Sequence, residues 1–278
     1  MKNNNTNKSE YLMVTEDGSP TLFLQEYEQA MHSTSGAYEE SLLKHVIPSR
    51  ILEEKKRSLN VLDIGFGLGY NILALIHEYK KLGMSNPVKI ISLEKERSFS
   101  SFMDEIKFND SRDNIYSLVK KGYRTGSAAD GNISILLIFG DARNVLSNLK
   151  KEFFEAVFQD PFSPAMNPEL WSLDYFRLIY SLMDKSGIMT TYSSALHIRR
   201  GMIEAGFFIG RGPSVGKKRE GTTASKSELM NQLSGEEIRE IMGNPKSTPY
   251  RDKNLNLDRK SILAGRLDEI RNISDKIK

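Results

Sequence analysis

Cysteine is absent from this chain of 278 residues, which excludes disulfide bonds and thiolate metal sites and fits a reducing cytoplasm. The four histidines, at positions 32, 45, 77 and 197, show no metal-ligand spacing, so we expect no metal. No apolar run approaches the length of a membrane span, and the polar first nine residues lack the apolar core of a secretory signal. The composition therefore predicts a cytoplasmic protein without a metal centre.

The chain also has little net charge, since its 39 lysines and arginines nearly balance its 36 acidic residues and leave a formal net charge of +3. Such a balance is compatible with a nucleic-acid partner but does not require one. Two basic clusters stand out in the C-terminal third, Arg199-Arg200 and Lys217-Lys218-Arg219. They are candidates for phosphate contacts, and ordinary solvated faces are the alternative.

The most informative feature that is present is a glycine-rich turn. The apolar run 61–64 predicts a buried strand, glycines at 65, 67 and 69 interrupt it, and apolar periodicity over 72–79 predicts a helix. Glycine permits a sharp turn and the close approach of a ligand, and the helix N-terminus offers unpaired N–H groups. Open α/β sheets bind nucleotide-like cofactors in this way, although the turn can also be purely structural.

Three later predicted strands are followed by acidic residues. The runs 88–93, 133–139 and 155–159 lead to Glu94, Asp141 and Asp160. A carboxylate at Glu94 can accept hydrogen bonds from two ribose hydroxyls, or it can simply neighbour an exposed helix N-cap. Asp141 precedes a predicted helix, so it either caps that helix or holds the edge of an adenine ring.

The segment after the last of these strands is rich in proline. Three prolines between Asp160 and Trp171 forbid regular structure and stiffen a loop at the carboxyl end of a strand. Ligands bind at that end in this architecture. An acid, the aromatic Phe162 and the single tryptophan therefore predict a substrate pocket, with a structural loop as the alternative.

The alternation of strands and helices predicts an α/β fold with a doubly wound sheet, an N-terminal β-hairpin at 11–24 and a helical C-terminal tail. Residues 110–132 are expected to be irregular, the sheet pattern is expected to end at residue 222, and a helix should follow residue 41. Further helices are predicted at 96–107, 142–150, 172–185, 195–205, 234–242 and 259–277. The predicted division is a disordered start (1–10), an N-terminal hairpin and helix (11–50), a sheet domain (51–221) and a C-terminal extension (222–278).

Several motifs together resemble a known family. They are Thr15-Glu-Asp-Gly-Ser-Pro-Thr-Leu22, His32-Ser33 with Gly36-Ala37 and Glu40-Ser41, Gly65-Phe-Gly-Leu-Gly-Tyr-Asn71, Asp160-Pro-Phe-Ser-Pro164 with Asn167-Pro-Glu-Leu-Trp171, and Gly216-Lys-Lys-Arg-Glu220. In this order the chain resembles the MnmC-type methyltransferases, which complete 5-methylaminomethyl-(2-thio)uridine at the tRNA wobble position. The chain departs from the family pattern at Pro161 and Ser163, where Gly and Ala are common, and at Met31, where Tyr is common.

The resemblance implies a Rossmann-like methyltransferase domain over 51–221 with S-adenosyl-L-methionine as cofactor. The residues it assigns to the cofactor are Gly65, Phe66, Gly67, Gly69, Asn71, Glu94, Asp141 and Ala142. No second glycine fingerprint follows residue 221, so the resemblance is to the stand-alone methyltransferase without the flavin oxidase domain. A separate aminomethyluridine-forming enzyme would then supply the substrate.

The implied acceptor is a primary amine, and Asp160 is the residue expected to face it. An unperturbed aspartate, with a pKa near ~3.9, is a poor base for an amine that titrates near ~10. Burial by the loop is expected to raise the pKa of Asp160. We expect Asp160 mainly to orient the nitrogen, while water removes the proton.

The implied partner is the anticodon loop of tRNA. Phe162 is expected to stack on the uracil ring, or else to pack on the next helix. His32, Glu40 and Trp171 are expected to border the substrate, with ordinary structural roles open for His32 and Glu40. The predicted phosphate contacts are Arg199, Arg200, Lys217, Lys218 and Arg219. The alternatives are a spermidine-synthase-like aminopropyltransferase and a catalytically silent RNA-binding module.

Overall fold

Eleven strands occur in the residues that the computed structural model describes, which are 11–24, 29–32, 36–215 and 220–277. In chain order they are β1 (Tyr11–Val14), β2 (Pro20–Leu24), β3 (Gln29–Ala30), β4 (Leu59–Ile64), β5 (Val88–Glu94), β6 (Ser127–Asp130), β7 (Ile133–Phe139), β8 (Phe154–Gln159), β9 (Met183–Thr191), β10 (Phe208–Arg211) and β11 (Thr222–Ser225). The first three form a small antiparallel sheet. The other eight form one mixed sheet in the order β10-β11-β9-β8-β4-β5-β7-β6.

The centre of the large sheet is parallel. Strand β4 pairs with β5 on one side and with β8 on the other, and every residue of β4 and β8 is buried. Burial on both faces is typical of parallel strands covered by helices, and it explains the continuous apolar runs. Because the chain leaves β4 in opposite directions toward β5 and β8, a crevice opens at the carboxyl ends of these strands.

Helices cover both faces of the large sheet. They are α1 (Ala37–Ser41), α2 (Tyr70–Lys81), α3 (Ser100–Glu105), α4 (Arg112–Thr125), α5 (Ala142–Leu146), α6 (Leu173–Leu182), α7 (Leu196–Glu204), α8 (Gly235–Gly243) and α9 (Arg259–Ile277). One apolar core joins α2 and α4 to the sheet, and a second joins α6, α7 and the C-terminal segment. Within the described residues, no helix is long and apolar enough to cross a bilayer.

The α/β fold, its Rossmann-like sheet and the N-terminal hairpin are confirmed, but the prediction for 110–132 is wrong. This stretch forms α4 and the antiparallel strand β6. Helix α4 buries Ile115, Tyr116, Val119 and Tyr123, which recur at helical spacing among charged residues. The apolar stripe is narrow, and the many polar residues around it had suggested a loop.

The predicted end of the sheet pattern at residue 222 is also wrong. Residues 222–225 form β11, which pairs antiparallel with both β9 and β10. The predicted helices at 234–242 and 259–277 occur as α8 and α9, whereas those at 96–107 and 142–150 are shorter than expected. The division into domains remains a prediction, and the expected disordered start lies outside the described residues.

The helix predicted after residue 41 begins earlier, at Ala37, and contains a turn of π-helix over Leu42–Val46. A π turn widens the helix by one residue per turn and is frequent at functional sites. Here it carries His45, which is 1% exposed and points toward the carboxyl end of the large sheet.

Candidate active site

The glycine turn after β4 is shaped by close backbone contacts. Gly65, Gly67 and Gly69 all have positive φ angles, of 87°, 54° and 80°. A Cβ on Gly65 would lie 2.5 Å from the carbonyl oxygen of Asp160, so a side chain there would displace the loop that follows β8. A Cβ on Gly69 would collide with the side chain of Val119 on α4, which makes Gly69 a packing residue beneath the turn.

A cavity of about 730 Å³ opens at the carboxyl ends of β4, β5, β7 and β8. This volume suits a small organic ligand. Among the predicted site residues, its lining includes Gly65, Phe66, Gly67, Asn71, Glu94, Asp141, Ala142, Asp160, Phe162, His32 and Glu40. Gly69, Trp171, Arg199 and Arg200 do not line it.

Glu94 ties the glycine turn to the end of β5. Its carboxylate accepts hydrogen bonds from the backbone N–H groups of Gly67 at 2.8 Å, Lys95 at 2.7 Å and Glu96 at 2.8 Å. Burial raises the pKa of Glu94, although these three donors act in the opposite direction. Each oxygen of a carboxylate has further acceptor capacity, so Glu94 can also receive ribose hydroxyl groups.

Asp141 caps α5 at another edge of the cavity. Its Oδ1 accepts a hydrogen bond from the backbone N–H of Arg143 at 2.9 Å, which is one of the two roles that the sequence left open for Asp141. The guanidinium of Arg143 also binds this carboxylate, at 2.7 Å between Nη2 and Oδ2. Burial acts to raise the pKa of Asp141, but the contacts with Arg143 outweigh it and the pKa is lowered.

Asp160 follows β8 and lies beside the glycine turn. Its Oδ2 accepts a hydrogen bond from Nδ2 of Asn71 at 3.0 Å, and its Oδ1 lies 3.4 Å from Nε2 of His45. Burial acts to raise the pKa of Asp160, but His45, His32 and the Asn71 amide outweigh it and hold the pKa below its usual value. The expectation of a raised pKa is therefore wrong, because sequence reasoning did not place His45 at this carboxylate.

A second aspartate, Asp63 of β4, lies behind Asp160 and was not predicted. Nδ2 of Asn71 lies 3.3 Å from Oδ1 of Asp63, so one amide group bridges the two carboxylates. Ser92 donates a hydrogen bond to Oδ2 of Asp63 at 2.5 Å. Burial, opposed by Ser92 and assisted by the charge of Asp160, raises the pKa of Asp63 to about 7. An acid inside the apolar run of β4 was the sequence signal that marked this residue.

The proline-rich loop is held from beneath by side chains of other elements. Nε1 of Trp171 donates to the carbonyl of Phe162 at 2.9 Å, and the hydroxyl of Tyr192 donates to the carbonyl of Pro161 at 2.9 Å. Trp171 is fully buried, so the expected contact between Trp171 and a substrate is wrong. It supports Phe162, which lines the cavity and also packs against the core.

The other predicted substrate residues differ in their surroundings. His32 and Glu40 line the cavity, and Nδ1 of His32 lies 3.0 Å from the hydroxyl of Thr21. Arg199 is 6% exposed and donates to Glu220 at 2.9 Å, so the prediction that it contacts a phosphate is wrong. Arg200 is paired with Glu204 on the same helix, at 2.7 Å. Lys217, Lys218 and Arg219 lie outside the described residues.

Arg259 and Glu169 line the cavity although sequence reasoning gave neither of them a role in the site. Arg259, the first residue of α9, donates to the carbonyl of Ala165 in the proline-rich loop at 3.0 Å. Glu169 lines the cavity from the same loop. In the part of the chain that the structure describes, no group of three or more acidic or histidine side chains is placed to hold a metal ion.

Comparisons with known proteins agree with this geometry. A family of S-adenosyl-L-methionine-dependent methyltransferases matches residues 107–227. The crystal structure of MNMC2 from Aquifex aeolicus superimposes with a TM-score of 0.84 and 34% identity, covering 97% of this chain and 87% of that one. This chain belongs to the MnmC-type methyltransferase family. An uncharacterized protein of Methanocaldococcus jannaschii is 32% identical, over 97% of this chain and 75% of that protein.

The bifunctional members of the MnmC family are much longer than this chain. The tRNA 5-methylaminomethyl-2-thiouridine biosynthesis bifunctional protein MnmC of Pseudomonas aeruginosa is 30% identical over 57% of this chain, which spans 25% of that relative. Membership of the family makes the protein an enzyme and confirms the predicted cofactor, S-adenosyl-L-methionine. The residues present fit this cofactor, since the glycine turn leaves its backbone uncovered and two carboxylates flank a cavity of suitable size.

Proposed function

We propose that this methyltransferase transfers a methyl group to the 5-aminomethyl nitrogen of the wobble (2-thio)uridine in tRNA, giving 5-methylaminomethyl-(2-thio)uridine. The observation that carries the proposal is the position of Asp160, whose carboxylate lines the cavity beside the glycine turn and is held there by Asn71 and His45. The relationship to the MnmC family supports tRNA as the substrate.

In this proposal the cofactor supplies a methyl group on a positively charged sulfur. Gly65 and Gly67 leave the backbone open to its methionine part, Glu94 accepts its ribose hydroxyls, and Asp141 with Ala142 borders its adenine. These residues surround the cavity from three different strand ends, so they define one orientation of a bound molecule. Gly69 supports the turn from below and does not line the cavity.

Asp160 positions the acceptor nitrogen rather than acting as its base. Its lowered pKa keeps it charged at neutral pH, and a carboxylate next to an ammonium group favours the protonated, unreactive form. Reaching the neutral amine at pH 7 costs roughly 3–4 kcal/mol, at ~1.36 kcal/mol for each pKa unit. Alignment of the nitrogen by a fixed carboxylate can offset several kcal/mol of the barrier, and the proton passes to water.

The uridine is expected to enter beside Phe162, whose ring can stack on the base. His32 and Glu40 border this side of the cavity. Lys217, Lys218 and Arg219 remain the predicted phosphate contacts, because Arg199 and Arg200 are engaged by glutamates. A separate enzyme that forms the aminomethyl group remains part of the proposal.

The test is methyl transfer from labelled S-adenosylmethionine to tRNA that carries 5-aminomethyluridine. The wild-type chain should label the wobble nucleoside, and Asp160→Asn should lower kcat by about a hundredfold or more while donor affinity changes less than about threefold. Asp130→Asn, on the exposed edge strand β6, is the matched control and should behave like the wild type.

Two outcomes would contradict the proposal. Label that fails to appear in tRNA while the donor still binds would remove tRNA as the acceptor, and a polyamine reaction run in parallel would show whether a small amine replaces it. An Asp160→Asn variant with wild-type kcat would remove Asp160 from the site.

A further inference from the structure

Arg143 connects the donor cavity to the C-terminal segment. Its Nε and Nη2 donate to the carboxylate of Asp141, at 3.1 Å and 2.7 Å. Its Nη1 donates to Oδ2 of Asp252 at 2.7 Å and to the carbonyl of Leu257 at 2.8 Å. All three guanidinium nitrogens are therefore engaged, and their planar arrangement fixes the two carboxylates relative to each other.

Asp252 is itself held rigidly. It is fully buried, and its Oδ1 accepts hydrogen bonds from the backbone N–H groups of Asn256 at 2.9 Å and Leu257 at 3.0 Å. Its own N–H donates to Oδ2 of Asp174, at the start of α6, at 2.9 Å. Nε of Arg251 also donates to the carboxylate of Asp174, at 3.0 Å. The segment is thus fixed to the element that follows the proline-rich loop.

The two carboxylates that share Arg143 differ in their access to the cavity. Asp141 lines the cavity and its side chain is 29% exposed, whereas Asp252 has no exposed surface and does not line it. Because Asp252 does not reach the cavity, its carboxylate can act on a bound ligand only through Arg143 and Asp141. In other binding sites, residues that do not touch the bound group often orient the residues that do.

We propose that Asp252 is a positioning residue of the donor site, which holds Arg143 and thereby fixes the carboxylate of Asp141 at the adenine end of S-adenosylmethionine. The inference rests on the placement of adenine at Asp141 in the proposed function. It gives Asp252 a part in donor affinity, separate from the contact of Arg259 with the proline-rich loop.

The experiment measures S-adenosylhomocysteine binding to the full chain by calorimetry. Asp252→Asn should weaken binding by about tenfold, because a neutral amide with one acceptor oxygen cannot serve Arg143 and both backbone donors. At saturating donor, kcat and the acceptor KM should stay within about twofold of the wild type. The control is Asp268→Asn, a 68% exposed aspartate on α9.

A double-mutant cycle tests the route through Asp141. If Asp252 acts by way of Asp141, the double variant Asp141→Asn/Asp252→Asn should bind no more than about twofold more weakly than Asp141→Asn alone. If the losses of affinity in the two single variants add up in the double variant, Asp252 does not act through Asp141. The same conclusion follows if Asp252→Asn binds more weakly while Asp141→Asn binds like the wild type. Wild-type affinity in folded Asp252→Asn would overturn the role itself.

Thermal unfolding without ligand shows whether Asp252→Asn folds. If it does not fold, Arg143→Lys tests the same proposal. A single ammonium cannot bind two carboxylates in the paired geometry, so this variant should also lose about tenfold in affinity. Unchanged affinity in Arg143→Lys would overturn the proposal. Binding of S-adenosylhomocysteine does not involve tRNA, so a failed tRNA assignment would leave the expected affinities in place.

Discussion

At the scale of single residues, the setting of Asp160 decides what its carboxylate can do. His45 arrives from a π turn more than a hundred residues earlier in the chain, and its Nδ1 lies 3.2 Å from the hydroxyl of Thr190 on β9. The imidazole therefore has a partner at each ring nitrogen, Thr190 on β9 and Asp160 at the cavity. A carboxylate with a lowered pKa is a durable acceptor for an amine N–H group at neutral pH.

His45→Gln should remove the charge beside Asp160 while keeping a hydrogen-bond donor to its carboxylate. Glutamine can still donate to Asp160, but it carries no charge, so the pKa of Asp160 should rise toward its usual value or above it. Activity that needs the ionised carboxylate would then begin at higher pH. In kcat/KM the titration of the acceptor amine lies at higher pH, and the ionisation of Asp160 adds a second, more acidic step. We expect that second step to move up by about one pH unit, with a smaller change at pH 8. His77→Gln on α2 is the control, and an unmoved limb in His45→Gln would contradict the role.

Several acidic residues of the site could be predicted from the sequence, but the side chains that pair with them could not. Glu94, Asp141 and Asp160 each follow a predicted strand, and position along the chain was enough to find them. His45 stood alone in an amphipathic segment, where nothing distinguishes a core histidine from one that faces a carboxylate. Arg199 was misread for the same reason, because its partner Glu220 is distant in sequence.

At the scale of elements, the proline-rich loop is held in place both by its prolines and by hydrogen bonds from surrounding side chains. Gln159 donates to the carbonyl of Leu170 at 2.6 Å, and Trp171 and Tyr192 hold the two carbonyls that follow Asp160. Proline cannot donate a backbone hydrogen bond, so such a loop depends on side chains to satisfy its carbonyl groups. The sequence showed the prolines but not these three donors.

Tyr192→Phe should loosen this loop without changing its shape. Loss of the hydrogen bond to Pro161 removes about 1 kcal/mol of stabilisation, and the acceptor KM should rise about three- to tenfold. Donor affinity should be unchanged. Tyr79→Phe is a matched control, since its hydroxyl donates to the carbonyl of Asn86 at 2.8 Å, remote from the cavity. Equal acceptor KM values in the two variants would show that the Tyr192 tether is irrelevant to substrate placement.

The strands were predictable as elements because their apolar runs reflect burial on both faces. Their order was only partly predictable, since β11 enters the sheet after a connection that shows no strand pattern. Helix α4 was missed because its buried residues form a narrow stripe among charged neighbours. In each case the missing information was a tertiary contact, which local pattern does not carry.

At the scale of the whole molecule, the buried Asp63 couples the site to global stability. The pKa of Asp63 is about 7 in the folded chain and near ~3.9 when unfolded. Between these values the folded state holds a proton that the unfolded chain has released. The contribution of Asp63 is therefore fully present below pH ~4 and is lost as the pH rises toward 7.

Asp63→Asn should remove this dependence while keeping an acceptor for Ser92. Between pH 5 and pH 8, the wild-type chain should lose at least about 1 kcal/mol more of its unfolding free energy than the variant, or roughly 2–4 °C in melting temperature. Thermal unfolding at the two pH values measures this difference. Asp268→Asn should follow the wild type, and parallel pH profiles for wild type and Asp63→Asn would refute the assignment.

The place of β11 has a consequence for how the chain is made. Both of its neighbours, β9 and β10, precede it in sequence, so a chain emerging from the ribosome displays the open edge of β9 until residue 225 has been synthesised. Unpaired strand edges are sites of misassociation between chains. A nascent chain stalled shortly before this point is therefore expected to need chaperone protection, and release of that protection marks the moment at which the sheet closes.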